Sequence, residues 1–269
     1  MDIVVCIKQV PDPEIPTSQF KVDEQAKRVV PPEGVQPVIS TFDLHAIEAA
    51  IQLKEQHGGK VTVVSLGPGS VRDALKRAIA MGCDAAVQLE DAAFEGGDSY
   101  ATAVALAAAI RKLGEYDLVL VGRQAADWDS GQVPSALAEL LELPGAVPVQ
   151  KIEARNGGTG GLYVERVTED GYQPIEMPTP AVLGISNEIN QPRYPTLKGI
   201  MASGKVQIPV WSAADLGLAA DQVGERGQRV VLRRLYVPVR ESRCDFIEAD
   251  SAQEAGEKLA ARLREARLI

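Results

Sequence analysis

The chain has 269 residues and a formal charge of -9, with 28 Lys and Arg against 37 Asp and Glu, and aromatic side chains make up only 4% of it. At about 150 residues per domain this is one large domain, or one domain with an appendage, long enough to bury a core without a disulfide or metal staple. The acidic balance argues against a nucleic-acid scaffold, and the longest uncharged apolar stretch, residues 100–110, falls short of the roughly 20 residues a membrane span needs.

In chain order, residues 3–7 form a short apolar run, a strand start rather than the charged-then-apolar profile of a signal peptide. Pro11, Pro13, Pro16, Pro31, Pro32 and Pro37 then mark an excursion whose residues 20–30 alternate polar and apolar, the pattern of a small hairpin. Residues 43–57 place Leu44, Ile47 and Ile51 at helical spacing, with Asp43 as a candidate N-cap and Gly58-Gly59 as the stop. A β-branched strand over 60–66 is closed by Gly67-Pro68-Gly69, and Ser70 is placed to cap a helix carrying Val71, Ala74, Leu75, Ala78 and Ile79. Residues 85–89 are a third strand, 100–113 an Ala-rich helix, and 117–121 a fourth strand, apolar throughout as a strand buried on both faces is. A loop over 122–131 leads into a helix near 132–141, ended by Pro144. Strand–helix units repeated at this spacing predict an α/β fold: a doubly wound, mostly parallel sheet with helices on both faces, Rossmann-like or flavodoxin-like.

The pattern then changes to strand-like runs over 147–154, 162–167, 172–177 and 181–185, the first pair joined by the glycine-rich turn 157–161. Beyond residue 190 come runs over 206–211 and 229–239 and a last helix over 252–266, with six Arg and one acidic residue (Glu241) between positions 226 and 243. Apolar alternation is too sparse there for a second core. The expected division is therefore an α/β domain, 1–190, and a segment 191–269 that includes an extended C-terminal arm packing on something else. Cys6, Cys83 and Cys244 lie too far apart for a zinc spacing, and His45 and His57 lack a metal-binding companion. No nucleophile–base constellation emerges. An odd cysteine count and no visible signal peptide make a reducing cytoplasm the expected compartment.

Two phosphate-loop patterns fail. Gly67-Pro68-Gly69-Ser70-Val71-Arg72 has Arg72 where the third glycine of G-x-G-x-x-G belongs, and Gly199 to Lys205 is followed by Val206 instead of a Ser or Thr. More informative is Gly122-Arg123-Gln124-Ala125-Ala126-Asp127-Trp128-Asp129-Ser130-Gly131-Gln132-Val133, which leaves the carboxyl end of a parallel strand and enters a helix. Doubly wound sheets bind ligands at that position, where helix-start amides and Arg123 suit an anion. Asp127 and Asp129 serve either to bond a ribose or to cap the helix. A second run, Asn190-Gln191-Pro192-Arg193-Tyr194-Pro195-Thr196-Leu197-Lys198-Gly199-Ile200-Met201, presents Tyr194, Leu197, Ile200 and Met201 in a Pro-bounded segment, either a loop tucked onto the sheet or an apolar anchor for a partner.

Together these runs resemble the beta subunit of electron transfer flavoproteins. The opening Val4-Val5-Cys6-Ile7-Lys8-Gln9-Val10-Pro11-Asp12 is similar to the family's first strand and loop, and Gly122 to Asp127 to its nucleotide loop. Val164-Glu165-Arg166 through Asp170-Gly171 to Pro180-Ala181-Val182 is similar to its signature, and Asn190 to Met201 to its recognition loop. The resemblance implies pairing with an alpha subunit that holds a redox-active FAD between the two, and AMP in the beta subunit, or a second FAD in electron-bifurcating members. It implies a nucleotide site at Cys6, Ser40, Thr41, Phe42, Asp43, Val63, Leu66 and the 122–133 loop, with no catalytic side chain. It also implies that Leu197 anchors an acyl-CoA dehydrogenase-type flavoenzyme, that electrons pass on to an acceptor such as a quinone oxidoreductase, and that Glu165 lies near the flavin route. The chain departs from the family at Ser40-Thr41, where Asn-Pro is common, at Trp128, where bifurcating members carry a small residue, and at Ala202-Ser203-Gly204, where basic residues are usual. Bulk at Trp128 favours AMP, whereas the Lys8-Gln9-Val10-Pro11-Asp12 opening and the Trp211-Ser212-Ala213-Ala214-Asp215-Leu216 run are more similar to the bifurcating branch. A stand-alone adenine-nucleotide sensor similar to universal stress proteins is the competing class; it leaves the 190–201 run unused.

Overall fold

A computed structural model describes residues 1–158, 160–238 and 244–269. In chain order the strands and helices are β1 (Ile3–Ile7), β2 (Gln9–Val10), β3 (Lys21–Asp23), β4 (Arg28–Val30), β5 (Val38–Ile39), α1 (Thr41–His57), β6 (Val61–Leu66), α2 (Val71–Met81) and β7 (Ala85–Leu89). Then follow α3 (Ser99–Leu113), β8 (Leu118–Gly122), α4 (Val133–Leu141), β9 (Gly145–Ala154), β10 (Leu162–Thr168), β11 (Gly171–Met177), β12 (Ala181–Ile185), α5 (Leu197–Ser203), β13 (Val210–Trp211), α6 (Gly224–Gly227) and α7 (Ala252–Glu265).

Among the described residues one nine-stranded sheet runs in the order β11-β10-β9-β12-β8-β1-β6-β7-β13. The seven strands from β9 to β13 pair in parallel, and β10 and β11 extend the sheet as an antiparallel hairpin. Alternation within the strands explains their continuous apolar sequence. Ile3, Val5 and Ile7 face α1 and α2, while Val4 and Cys6 face α3 and α4, so every side chain of β1 is buried.

From β1 the chain winds outward through β6 to β7 with α1 and α2 on one face, then crosses the other face in α3 to reach β8 on the far side of β1. Right-handed crossovers force the helices to change face when the winding reverses. The reversal leaves a crevice at the carboxyl ends of β1 and β8, the topological switch point of this sheet.

The excursion over residues 11–37 contains the expected hairpin, as β3 paired antiparallel with β4. Two helix starts differ from expectation. Ser70 adopts a helical conformation and its hydroxyl donates to Gln9 Oε1 (2.9 Å) instead of capping α2. Helix α1 begins at Thr41, so Asp43 lies inside its first turn and Ser40 takes the capping position, without a side-chain cap bond.

Beyond residue 190 the chain adds β13 to the sheet edge beside β7, and buries Ile208, Ala213 and Val223. Of the expected run over 206–211 only the last two residues form a strand. Among the described residues from 229 onward the chain is an arm with no buried residue. Its root is tied down by Asp98, whose carboxylate caps α3 (Ala101 N, 2.9 Å) and accepts from Arg229 N (2.7 Å) and Val230 N (2.9 Å). Lys27 of the β3–β4 turn donates to Leu232 O (2.8 Å), and α7 has no buried residue. Through residue 238 the expected 229–239 strand is instead irregular chain; its last residue, with Arg240, Glu241 and Arg243 of the arginine-rich run, lies outside the described residues. No helix among the described residues is long and apolar enough to cross a membrane, and no cluster of His, Cys, Asp and Glu among them suits a metal ion.

Candidate functional site

The switch-point crevice is held by one carboxylate. Asp43, buried in the first turn of α1, accepts from Lys8 N (2.7 Å) just past β1 and from Gly122 N (3.0 Å) at the end of β8. It thereby ties both strand ends to the helix that opens between them. Gly122 is required by that closeness: a Cβ there would lie 2.4 Å from Asp43 Oδ1 and 2.8 Å from Phe42 Cβ. Burial pushes the Asp43 carboxyl up to about 7, against the Lys8 and Gly122 amides and the Lys8 ammonium, which pull it down.

A carboxyl raised above its ordinary value of 3.8 binds more proton in the folded than in the unfolded chain between the two values. The stability it lends is present below about pH 4 and lost as pH rises through about 7. Wild type is therefore expected to lose stability relative to Asp43→Asn across that window, by up to about 1.4 kcal/mol per pH unit. Urea unfolding of both proteins near pH 5 and above pH 7 checks this; a relative stability that rises with pH overturns it.

The loop after β8 is latched across the crevice. Lys8 Nζ binds both carboxylate oxygens of Asp127 (2.7 and 2.9 Å), and Ala126 N donates to the buried Ser40 Oγ (3.2 Å). Asp129, at φ 51°, accepts from Gln124 Nε2 (2.9 Å). Neither aspartate caps α4, which overturns the capping alternative; Gln132 precedes that helix with no side-chain cap bond. Pro134 has no N–H, so Val133 and Ser135 supply the first-turn amides of α4, neither with a side-chain acceptor, and Gly131 runs against the Arg123 carbonyl at the entry to that turn. The Arg123 guanidinium lies 5.4 Å from the Phe42 ring, between the loop and the start of α1. Such a donor set, uncapped amides with one guanidinium, fits a phosphate-bearing nucleotide.

Ser40, Thr41, Phe42, Asp43 and the 122–133 loop therefore meet at one place, with Leu66 at the end of the next strand out. Cys6 and Val63 are core side chains beneath this place, Cys6 near enough to Asp43 for that carboxylate to add to the rise of its thiol. Both are buried, on opposite faces of the sheet, Cys6 under α3 and α4 and Val63 under α1 and α2. Burial pushes the Cys6 thiol far above its ordinary range, leaving it a packing group. The Trp128 indole stands on the loop, 52% exposed. Glu165 lies on β10, four strands from β1, bonded to Gln150 Nε2 and Tyr163 Oη (3.2 Å each).

The second candidate surface is α5. Tyr194, Leu197, Ile200 and Met201 are all exposed, Leu197 to 77% and Tyr194 to 87%. These side chains are presented outward, not tucked onto the sheet. Helix α5 is capped by Thr196, whose hydroxyl accepts from Gly199 N (3.0 Å), and Gly199 packs against the Ala80 carbonyl near the end of α2. Helix α2 ends at the amino edge of the parallel strands, so α5 and the crevice occupy opposite edges of the sheet. Five-residue strands at about 3.3 Å per residue put those edges roughly 17 Å apart.

Sequence reasoning missed Lys8 as a site residue, and Glu48 as a support of the α5 segment. Glu48 carried a readable signal, since it interrupts the otherwise apolar buried face of α1 formed by Ala46, Ile47, Ala49, Ala50 and Ile51.

Comparison with known proteins settles the family. Residues 28–216 match the Electron transfer flavoprotein domain. The chain is 41% identical over its whole length, and the whole length of the relative, to an electron transfer flavoprotein subunit beta of Thermoanaerobacterium thermosaccharolyticum. It is 35% identical, again over all of both chains, to the caffeyl-CoA reductase-Etf complex subunit CarD of Acetobacterium woodii. Protein FixA of Azorhizobium caulinodans is 36% identical over 88% of this chain and 85% of its own. With a switch-point crevice, an exposed Tyr194–Met201 segment and matches of this extent, the chain belongs to the electron transfer flavoprotein family, as a beta subunit.

Proposed function

We propose that this chain forms a heterodimer with an alpha subunit, that FAD is held mainly by that subunit, and that the complex carries electrons from an acyl-CoA dehydrogenase-type flavoenzyme to a downstream acceptor such as a quinone oxidoreductase. The flavin supplies one- and two-electron redox chemistry when bound. This chain supplies no catalytic side chain; it binds, orients and docks. AMP is the proposed nucleotide at the switch point, its phosphate on the α4 amides and Arg123, its adenosine against the Ser40–Asp43 turn. Trp128 supports AMP over a second FAD, because an indole on the loop takes up space that an isoalloxazine would need. Residues 1–190 form the proposed nucleotide-binding unit, while 191–269 face partners through α5 and the arm. The arm's exposed Val230, Val231, Tyr236 and Val237, and an α7 with nothing buried, suit a surface covered by the alpha subunit. Free, buried Cys6 and Cys83 are in keeping with a cytoplasmic setting.

The observation that carries the reading is the outward display of Leu197, Ile200 and Met201 on α5. Large apolar side chains held in water at this density mark an interface. The name of the Acetobacterium woodii relative, which places it in a complex with a caffeyl-CoA reductase, supports an enzyme acting on a CoA thioester as partner. A stand-alone sensor would leave both α5 and α7 without purpose.

In the purified heterodimer, Leu197→Ala is expected to cut the electron-transfer rate with an acyl-CoA dehydrogenase by at least about tenfold, a loss of the size a buried hot-spot leucine gives. Nucleotide released on denaturation should remain one FAD and one AMP per complex. Unchanged transfer kinetics remove the anchor; two FAD and no AMP replace the carrier reading with the bifurcating one.

A further inference from the structure

Four exposed apolar residues between positions 194 and 201 cannot be held in place by burying them, so something else must fix the segment that carries them. The chain leaves β12 at the carboxyl edge and runs along α1 toward the opposite edge. Asn190 Nδ2 donates to His45 O (3.0 Å), and His45 Nδ1 contacts Asn190 O at 3.0 Å. Further along α1, Arg193 is gripped twice. Its Nε and Nη2 donate to the two oxygens of Glu48 (2.8 and 3.0 Å), and its Nη1 and Nη2 to the two oxygens of Glu55 (2.6 and 2.9 Å). Its own main-chain N–H donates to Glu48 Oε2 (3.1 Å), and Gln52 Nε2 donates to Glu48 Oε1 (2.9 Å). Glu48 is only 3% exposed.

We infer that Arg193, with Glu48 and Glu55, is a positioning clamp that sets the direction of Leu197 for the docking partner. The inference rests on the reading of Leu197 as the docking anchor. Burying a carboxylate costs free energy that a well-packed apolar residue would not, so an ion pair of this kind contributes little to stability over that alternative and is better suited to fixing one geometry. Arginine suits the task because its planar fork meets two carboxylates in fixed directions, which a lysine ammonium does not. A segment ordered before the encounter also avoids the entropy cost of ordering on binding. The clamp thus replaces the apolar packing that the segment gives up by displaying its side chains.

The test uses the heterodimer as the varied substrate of an acyl-CoA dehydrogenase. Arg193→Met and Glu48→Gln are expected to raise KM about tenfold, the factor that ~1.4 kcal/mol of lost pre-organisation gives, with kcat unchanged within about twofold. Arg193→Lys should recover only part of the loss, and nucleotide content and subunit association should remain those of wild type. Glu48→Gln is nearly isosteric, so it reports on the clamp if Arg193→Met does not fold. Leu197→Ala is the reference. Should it raise KM while both clamp variants leave KM alone, the clamp is overturned and the docking anchor stands. Should Leu197→Ala leave KM unchanged, the anchor fails and the clamp falls with it. A clamp variant that lowers kcat at constant KM, or recovery to wild type with Arg193→Lys, also overturns the inference.

Discussion

Gly122→Val is expected to empty the nucleotide crevice and to destabilise the chain by several kcal/mol. The last residue of β8 sits where three elements converge, and a Cβ there would lie 2.4 Å from Asp43 Oδ1, 2.8 Å from Phe42 Cβ and 3.0 Å from Asp43 N. None of these can rotate aside, because Asp43 is fixed by Lys8 N and the other atoms lie on or next to the main chain of α1. Either β8 or α1 must shift. Overpacking of this sort costs about 1–3 kcal/mol, and a buried amide at position 122 left without its carboxylate costs about 1–3 kcal/mol more. At about 2–4 °C per kcal/mol for a chain of this size, the melting temperature should fall by roughly 10 °C. The shift also draws the Ser40–Asp43 turn away from the loop that Lys8 and Ser40 latch through Asp127 and Ala126. The AMP proposed for the crevice is therefore expected to be lost from the purified heterodimer, while the FAD proposed for the alpha subunit is retained. A variant that melts with wild type and retains its full nucleotide content would sink the assignment of the crevice.

This site was only partly legible in the sequence, for a physical reason. The strands could be read because both faces of each are buried, which leaves uninterrupted apolar runs such as Leu118 to Val121. The loop after β8 could be found because it sits between such a run and a helix. What could not be read was the job of each polar residue. Ser40, Thr41 and Asp43 are all cap formers in one short stretch, and local propensity does not choose among them. Tertiary partners decided: the amides of Lys8 and Gly122 claim Asp43, and that of Ala126 claims Ser40. Lys8 and Asp127, 119 residues apart, escape any local pattern in the same way. So do Glu48 and Arg193, 145 residues apart, although a carboxylate on an otherwise buried apolar helix face already called for a cationic partner. The resemblance supplied the location of the surfaces; the geometry supplied what holds them.

Gly199→Val is the complementary case, at the other edge of the sheet. Helix α5 lies so close to α2 that a Cβ at 199 would stand 2.2 Å from the Ala80 carbonyl oxygen, 3.0 Å from its carbon and 3.1 Å from the Thr196 hydroxyl that caps α5. Ala80 itself is buried in the last turn of α2, and seven residues of α5 are far easier to displace than α2, whose Leu75, Ala78 and Ile79 lie in the core. Helix α5 should lift from α2 and carry Leu197, Ile200 and Met201 with it. The Arg193 clamp lies upstream of Pro195 and would still hold the start of the segment, so the displacement should be confined to α5. Docking with an acyl-CoA dehydrogenase is then expected to weaken by about tenfold or more, as the loss of central hot-spot contacts does. Global stability should change less than in Gly122→Val, since the large apolar side chains of α5 are already exposed. Nucleotide content is expected to be unchanged, because the crevice lies at the opposite ends of the same strands. Measuring KM and released AMP on both glycine variants separates the two surfaces. Gly122→Val should lose nucleotide, Gly199→Val should lose docking with its AMP in place, and loss of AMP from Gly199→Val would refute the separation of the two ends.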